Sequence, residues 1–237
     1  MRTLSWIMLV LLLSSCAPLP PPLEMRTTCR ATASAPELVQ NHWLNGEQIW
    51  RLRQSALLEI GTRKIALEGF LRLDLKKREA RLVALNEMGL VVFDLHVDMH
   101  TQELLRAVPQ VHETKGFAQG VGSSLRRMFL APVPQLDDEL EQRGYYQCLL
   151  RKTPDTKLEF TFDCDAQLRR THMQGSGAEW QVVYNHYRNV ARATETAEAT
   201  NDANEVVRVV LPTQIILHNP QHRMKLTLTL NEAREEI

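Results

Sequence analysis

The sequence is short of the residues that usually announce a specialised chain. Of 237 residues only 10 are glycine, 6% are aromatic, and cysteine occurs four times. Such a composition excludes a collagen-like chain and a small disulfide-framed domain. An excess of charge is missing too: 28 basic residues face 28 acidic ones, and removing residues 1–15 with their one arginine leaves 27 against 28. That balance argues against a nucleic-acid footprint, which needs clustered Lys and Arg. Catalytic signatures are absent: there is no Gly-x-Ser-x-Gly elbow, no phosphate-cradling loop, no His-Glu-x-x-His and no Cys-x-x-Cys. His96 and His100 invite a metal reading, but they lie in a stretch that alternates as a strand. There, residues four apart stand about 13 Å from each other and cannot share one ion. The remaining histidines and acids lack ligand spacing. The chain therefore reads as non-enzymatic, without cofactor or metal.

What is present begins at the N-terminus. Arg2 supplies a basic region, an apolar run follows from Leu4 to Leu13, and Leu13-Ser14-Ser15-Cys16 closes it. The run is too short to span a bilayer, which takes about 20 apolar residues, so residues 1–15 read as a removed signal peptide. Leu-Ser-Ser-Cys resembles the lipobox of bacterial lipoproteins, in which small residues admit the peptidase and the cysteine thiol takes a diacylglyceryl group. The resemblance implies a mature chain that starts at a lipidated Cys16 and is anchored to a membrane. One acyl chain binds a membrane only marginally, whereas two or more hold. Ala17 after the cysteine, rather than Asp, resembles the pattern of lipoproteins sorted to the outer membrane, which places the domain in the periplasm. Residues 16–33 hold this cysteine and a proline-rich tether, Ala17 to Glu24, expected to be extended and semi-rigid.

In an oxidising compartment Cys29, Cys148 and Cys164 allow one disulfide and leave one thiol. Cys148 and Cys164 flank a turn-like cluster, Thr153-Pro154-Asp155-Thr156-Lys157, and are the expected pair; Cys29 with either one is the alternative.

Residues 34–237 read as one domain of the α+β class, mainly β. Ser34-Ala35-Pro36-Glu37 is a capping box with proline in the first turn, so a short helix is expected to run toward Trp43. From Trp50 to Val108 the period is two: Ile65, Leu67, Gly69, Leu71 and Leu73 alternate with mixed residues, and Val91, Phe93, Leu95 and Val97 stand opposite Asp94, His96 and Asp98. An antiparallel meander is the economical topology. Between Gly116 and Leu130 the period becomes helical, with Phe117, Val121, Leu125 and Met128 or Phe129 on one stripe. Pro132 and Pro134 stop it, and Leu136 to Arg143 suggests a second short helix. Strands are then expected at 145–151, 158–164, 178–190, 205–211, 215–218 and 224–230. The segment 194–204, rich in Ala, Thr and acids with no apolar anchor, reads as a mobile loop between two strands, with an exposed helical excursion as the alternative.

The order of lipobox, tether, N-terminal helix, strands, central helix and final strands, ending in Leu211-Pro212-Thr213-Gln214-Ile215-Ile216-Leu217-His218-Asn219-Pro220 and Leu226-Thr227-Leu228-Thr229-Leu230, resembles a family of uncharacterised bacterial lipoproteins. Genes of that family are often found beside fatty-acid-synthase-like genes for aryl polyene pigments. The chain is also similar, more distantly, to the outer-membrane lipoprotein receptor LolB. The resemblance implies a curved antiparallel sheet forming an unclosed half barrel, with helices covering its concave apolar face. It further implies that Leu71, Phe93, Leu95, Phe117, Val121, Leu125 and Phe129 line a space for a lipid, acyl or polyenyl chain, although the same stripes are equally met by a filled core. In the receptor family a leucine just before a glycine protrudes from a loop between two early strands. Met88 before Gly89, with Leu90 after it, stands at the matching place, with Glu87 where proline is frequent, and implies a membrane or lipid-transfer loop. The function implied is that of a membrane-anchored carrier or acceptor of lipid. A scaffold lipoprotein that docks an envelope protein through a sheet edge or the 194–204 loop is the alternative.

Overall fold

The computed structural model describes residues 28–191 and 208–236. Alternation of apolar and polar side chains becomes strand wherever two flanking strands take up the ladder hydrogen bonds. The first meander is β1 (Ile49–Ile60), β2 (Arg63–Asp74), β3 (Glu79–Leu85), β4 (Val91–Val97) and β5 (Gln102–Ala107). The second is β6 (Glu139–Arg143), β7 (Tyr146–Lys152), β8 (Thr156–Phe162), β9 (Leu168–Gly175), β10 (Ala178–Ala191) and β11 (Arg208–Asn219). β12 (Met224–Glu236) lies between β1 and β11, so the order across the sheet is β5-β4-β3-β2-β1-β12-β11-β10-β9-β8-β7-β6. Neighbours are antiparallel throughout, and β5 and β6 remain as edges, so the sheet is not closed into a barrel. Among the described residues three helices accompany it: α1 (Ala35–Gln40), α2 (Pro109–His112) and α3 (Phe117–Leu125), the last continued by a π-helical turn, Arg126–Leu130.

The π-helical turn touches β3 on one side and β11 on the other. Four strand spacings separate those two in the sheet, about 19 Å if it were flat, more than a helix is wide. The sheet is therefore bent around the helix. Within the wrap lies one core: Trp43 meets Phe129 and Tyr184 edge-on, with centroids 6.1 and 6.2 Å apart, among Trp50, Leu52, Leu73, Leu95, Phe160 and Leu217. α1 begins as its sequence demands, with Ser34 N donating to Glu37 Oε2 at 2.6 Å and Pro36 in the first turn.

Several expectations change in the structure. Leu136 to Arg143 is not helical; β6 forms there because β7 offers a free edge and pairs with Glu139 to Arg143. β9 was not expected, since Leu168 to Gly175 has no apolar alternation. It is held between β8 and β10 and stabilised by Arg169, whose Nε donates to Asp163 Oδ2 at 2.6 Å. The two strands expected around Pro212 are one, β11. Pro212 lacks an N–H for a ladder and sits where β12, which pairs β11 only along Gln214–Asn219, no longer runs alongside.

The disulfide is corrected as well. Cys29 is bonded to Cys164, with their Cα atoms 5.8 Å apart, and the buried Cys148 is free. The hairpin register explains why Cys148 and Cys164 do not pair: Cys148 stands opposite Thr161, with the turn tighter than a loop centred on Thr156. Cys164 lies three residues further along, about 10 Å away at strand rise. Burial pushes the Cys148 thiol up to about 11, so it is a small inert core residue.

Residues 1–15, Cys16, the Ala17 to Glu24 tether and the 194–204 segment lie outside the described residues.

Candidate functional site

Beneath α3 the first meander and β12 do not fill their concave side. A hollow of about 320 Å³ remains, walled by Ala56 and Leu58 of β1, Leu67 and Gly69 of β2, Leu82 and Ala84 of β3, Phe93 of β4, Leu226 and Leu228 of β12, and Phe117, Val121 and Leu125 of α3. Its walls are almost wholly apolar, as ligand pockets for hydrocarbon are. Gly69 matters here: a Cβ at that position would meet Leu82 Cδ1 at 3.2 Å and reduce the floor. Phe93 and Phe117 close the β4 side, edge to face with centroids 5.0 Å apart.

Exposure gives the hollow a direction. On β1 it falls from Ile60 (46%) through Leu58 and Ala56 to Gln54 (2%). On β2 it falls from Ile65 (47%) through Leu67 to the buried Gly69, and on β12 from Met224 and Leu226 to the buried Leu228. The covering helix follows the same order, from exposed Lys115 and Gly116 through half-buried Phe117 and Val121 to buried Ser124, Leu125 and Met128. The mouth is thus at the β1–β2 and β11–β12 turns, which pair through Ile60 and Met224.

The helix is clasped at the closed end. Arg126 Nε donates to Asp98 O at 2.6 Å, and its guanidinium also reaches Thr101 O and Gln102 Oε1. Arg78 Nη1 donates to Leu130 O at 3.0 Å. The turn that receives Arg126 is tied by hydrogen bonds from Thr101 and from the backbone of His100 to the Asp98 carboxylate, which also hold that carboxyl well below the usual carboxylate range. At the mouth, α3 starts from Gly116 in the left-handed conformation (φ 74°), without a side-chain cap.

Met88 and Leu90 occupy the β3–β4 turn, at the same end of the sheet as the mouth, because β3 runs from beside Asp74 to beside Glu68. They are 78% and 59% exposed. The turn is fixed under them: Asn86 Oδ1 accepts from Met88 N at 3.0 Å and Leu90 N at 2.9 Å, and Gly89 takes a positive φ of 77°. Ile60 and Ile65 stand exposed at the mouth itself, and Met88 and Leu90 project from a turn at the same end of the sheet.

Of the residues expected in the hollow, Phe93, Phe117, Val121 and Leu125 are brought together there. Leu71, Leu95 and Phe129 are not. They lie beyond the closed end, Leu71 against Leu52 and Leu82 and Phe129 against Trp43, and form solid core. The β12 and β1 walls were missed as lining, although the alternation of Met224, Leu226 and Leu228 was legible; what was not legible was that β12 returns beside β1. Among the described residues no group of His, Cys, Asp and Glu is placed to hold a metal ion, and no helix is long and apolar enough to cross a membrane.

An unclosed, wrapped antiparallel sheet with a helix over an apolar hollow defines a class of protein, that of the LolA-type fold. The fold matches a LolA superfamily protein from Nitrosomonas europaea over 87% of this chain and 95% of that one, at 9% identity and a TM-score of 0.51. Two further solved structures resemble it less closely: a domain described as an outer membrane lipoprotein-sorting protein from Vibrio parahaemolyticus (10% identity, 85% and 90% covered, TM-score 0.46) and a DUF1329 family protein from Desulfovibrio piger (8% identity, 86% and 90% covered, TM-score 0.44). No family model and no curated protein matches the sequence. The likeness is therefore one of fold.

Proposed function

We propose that the protein is a non-enzymatic carrier or acceptor that shelters an acyl or polyenyl chain in the hollow beneath α3. Lipid on Cys16 would hold it at the periplasmic face of the outer membrane. The observation that carries this reading is the hollow itself: it is walled by hydrocarbon, open at one end and unfilled by the protein's own side chains. Burying each methylene is worth about 0.8 kcal/mol, so a chain of a dozen carbons supplies enough drive for capture with little polar help. Exposed Ile60 and Ile65 at the mouth, with Met88 and Leu90 at the same end of the sheet, suit contact with a bilayer where a chain would pass in or out. Exposed Lys115 stands at the mouth, where an anionic headgroup would remain. The fold shared with a LolA superfamily protein agrees with such a role.

The test is binding of a fluorescent fatty acid. Val121 is a half-buried wall residue, and Val121→Glu is expected to weaken binding by about a hundredfold while the thermal midpoint changes little, because the carboxylate can reach the mouth only when no chain is present. A wild-type protein that binds no fatty acid, or a Val121→Glu variant that binds as well as wild type, would remove the proposal.

A further inference from the structure

We infer that the hollow is built for an apolar chain bearing a hydroxyl near its buried end, recognised by the side-chain amide of Gln54. The inference rests on the carrier reading above and narrows its ligand class. Gln54 lines the closed end of the hollow and is 2% exposed. Its Oε1 is buried with no hydrogen-bond partner. A carboxamide oxygen left unpaired against hydrocarbon is costly, and nearly all buried polar atoms in folded proteins are paired. The other buried polar side chain of the lining, Ser124, shows the ordinary solution, since its hydroxyl donates to Gly120 O at 2.9 Å. Gln54 has not been given one.

The backbone around Gln54 is arranged to leave it available. Its register neighbour on β2 is Gly69, which has no side chain to cover the amide. On the other side a β-bulge between Arg53 and Gln54 gives β12 one extra residue, Asn231, whose amide turns to Ser55 Oγ at 2.8 Å rather than to Gln54. Bulges of this kind re-aim side chains beside ligand sites. Gln54 lies six residues from Ile60 at the mouth, about 20 Å along the strand, so it meets the far end of an inserted chain and not the headgroup. A hydroxyl both donates and accepts, and therefore satisfies the carboxamide whichever of its two ends faces the chain. An unsubstituted hydrocarbon satisfies neither.

The experiment is a competition on the full chain in detergent micelles, read by native mass spectrometry, with equimolar hexadecanoic acid and its ω-hydroxy derivative. Wild type is expected to take the hydroxylated acid about tenfold more than the plain one. Gln54→Met keeps the length and removes the hydrogen bond; in it the preference should vanish while hexadecanoic acid binds at least as well as before. If wild type takes both acids equally, or if the preference survives in Gln54→Met, the inference fails and the carrier reading stands. If wild type takes neither acid, both fail. Should Gln54→Met not fold, the wild-type ratio alone decides.

Discussion

The two meanders share a strand pattern and an orientation, yet they are filled in opposite ways. The second is packed solid. Phe160, Phe162, Tyr184 and Trp180 occupy its concave side, and ion pairs fasten its strands to one another. Arg143 and Arg170 each reach the buried Glu159 at 2.7 Å, and Arg151 reaches Asp138 at 2.7 Å. Burial pushes the Glu159 carboxyl up, but the two guanidinium groups outweigh it and hold the group below its ordinary value. The disulfide ties this half to the start of the domain. The first meander has ion pairs across its strands too, Arg81 to Asp94 at 2.7 Å among them; it differs on its concave side, which carries mainly small and aliphatic residues and leaves room under α3. The contrast separates a scaffold from a receptacle within one continuous sheet, and it shows that a wrapped sheet becomes a container only where side-chain volume is withheld.

The largest way to break the comparison is to untie the scaffold. Replacing Cys29 and Cys164 by Ala removes a bridge across a separation of 135 residues, and loops of that order give about 5 kcal/mol by the chain-entropy argument. Urea unfolding with and without reductant should show that loss in wild type, and the double variant should be indifferent to reductant. A loss under about 1 kcal/mol would mean that the second meander does not depend on the bridge.

A smaller effect lies at the seam, where His42 is buried beside α1. Burial, helped by the positive charge of Arg78, pushes its imidazole down to about 3. Between that value and the ordinary value near 6.5, the unfolded chain binds a proton that the folded protein refuses. Stability is therefore fully present above about pH 6.5 and declines as pH falls toward 3. Between pH 7 and pH 5 the decline should be about 2 kcal/mol, and His42→Phe should flatten it. An equal slope in both proteins would assign the decline to other groups.

The smallest effect sharpens the receptacle. Arg126 fixes the closed end of α3 to the β4–β5 turn, whereas the mouth end rests on Gly116 and on the contact of Phe117 with Phe93. Arg126→Met should cost about 1 kcal/mol of stability and speed release of a bound fatty acid several-fold in stopped-flow displacement. Unchanged release would show that the helix does not control exchange.

Much of this architecture could be read from the chain before folding. Strict alternation marked β2, β4 and the first half of β12, and the helical period from Gly116 to Leu130 marked α3, because in those segments a single face is apolar. The second half of β12, Asn231 to Glu236, was not legible as strand. Its residues are polar but for Ala233, and the strand is maintained by β1, through pairs such as Arg51 Nε to Glu236 Oε2 at 3.0 Å. β9 was hidden for the same reason, since a buried Arg169 looks like an exposed one until Asp163 is known to stand beside it. Four of the seven residues expected in the hollow line it. Leu71, Leu95 and Phe129 could not be sorted from them, because periodicity shows which face a residue occupies and not how deep it lies along the strand. Gln54 escaped notice for a related reason: a lone glutamine in a polar-looking stretch, Arg51 to Ser55, carries no sign that its neighbours face outward and it does not.

The place of β12 has one further consequence. The last strand in chain order is the middle of the sheet, so the two meanders are joined by a segment that pairs Ile49 with Glu236 across almost the whole domain. Such long-range closure is slow to nucleate. A chain cut short by those thirteen residues would not lose a dispensable margin; it would come apart into two open ribbons, each with a raw, apolar border ready to stick to its counterpart in another molecule.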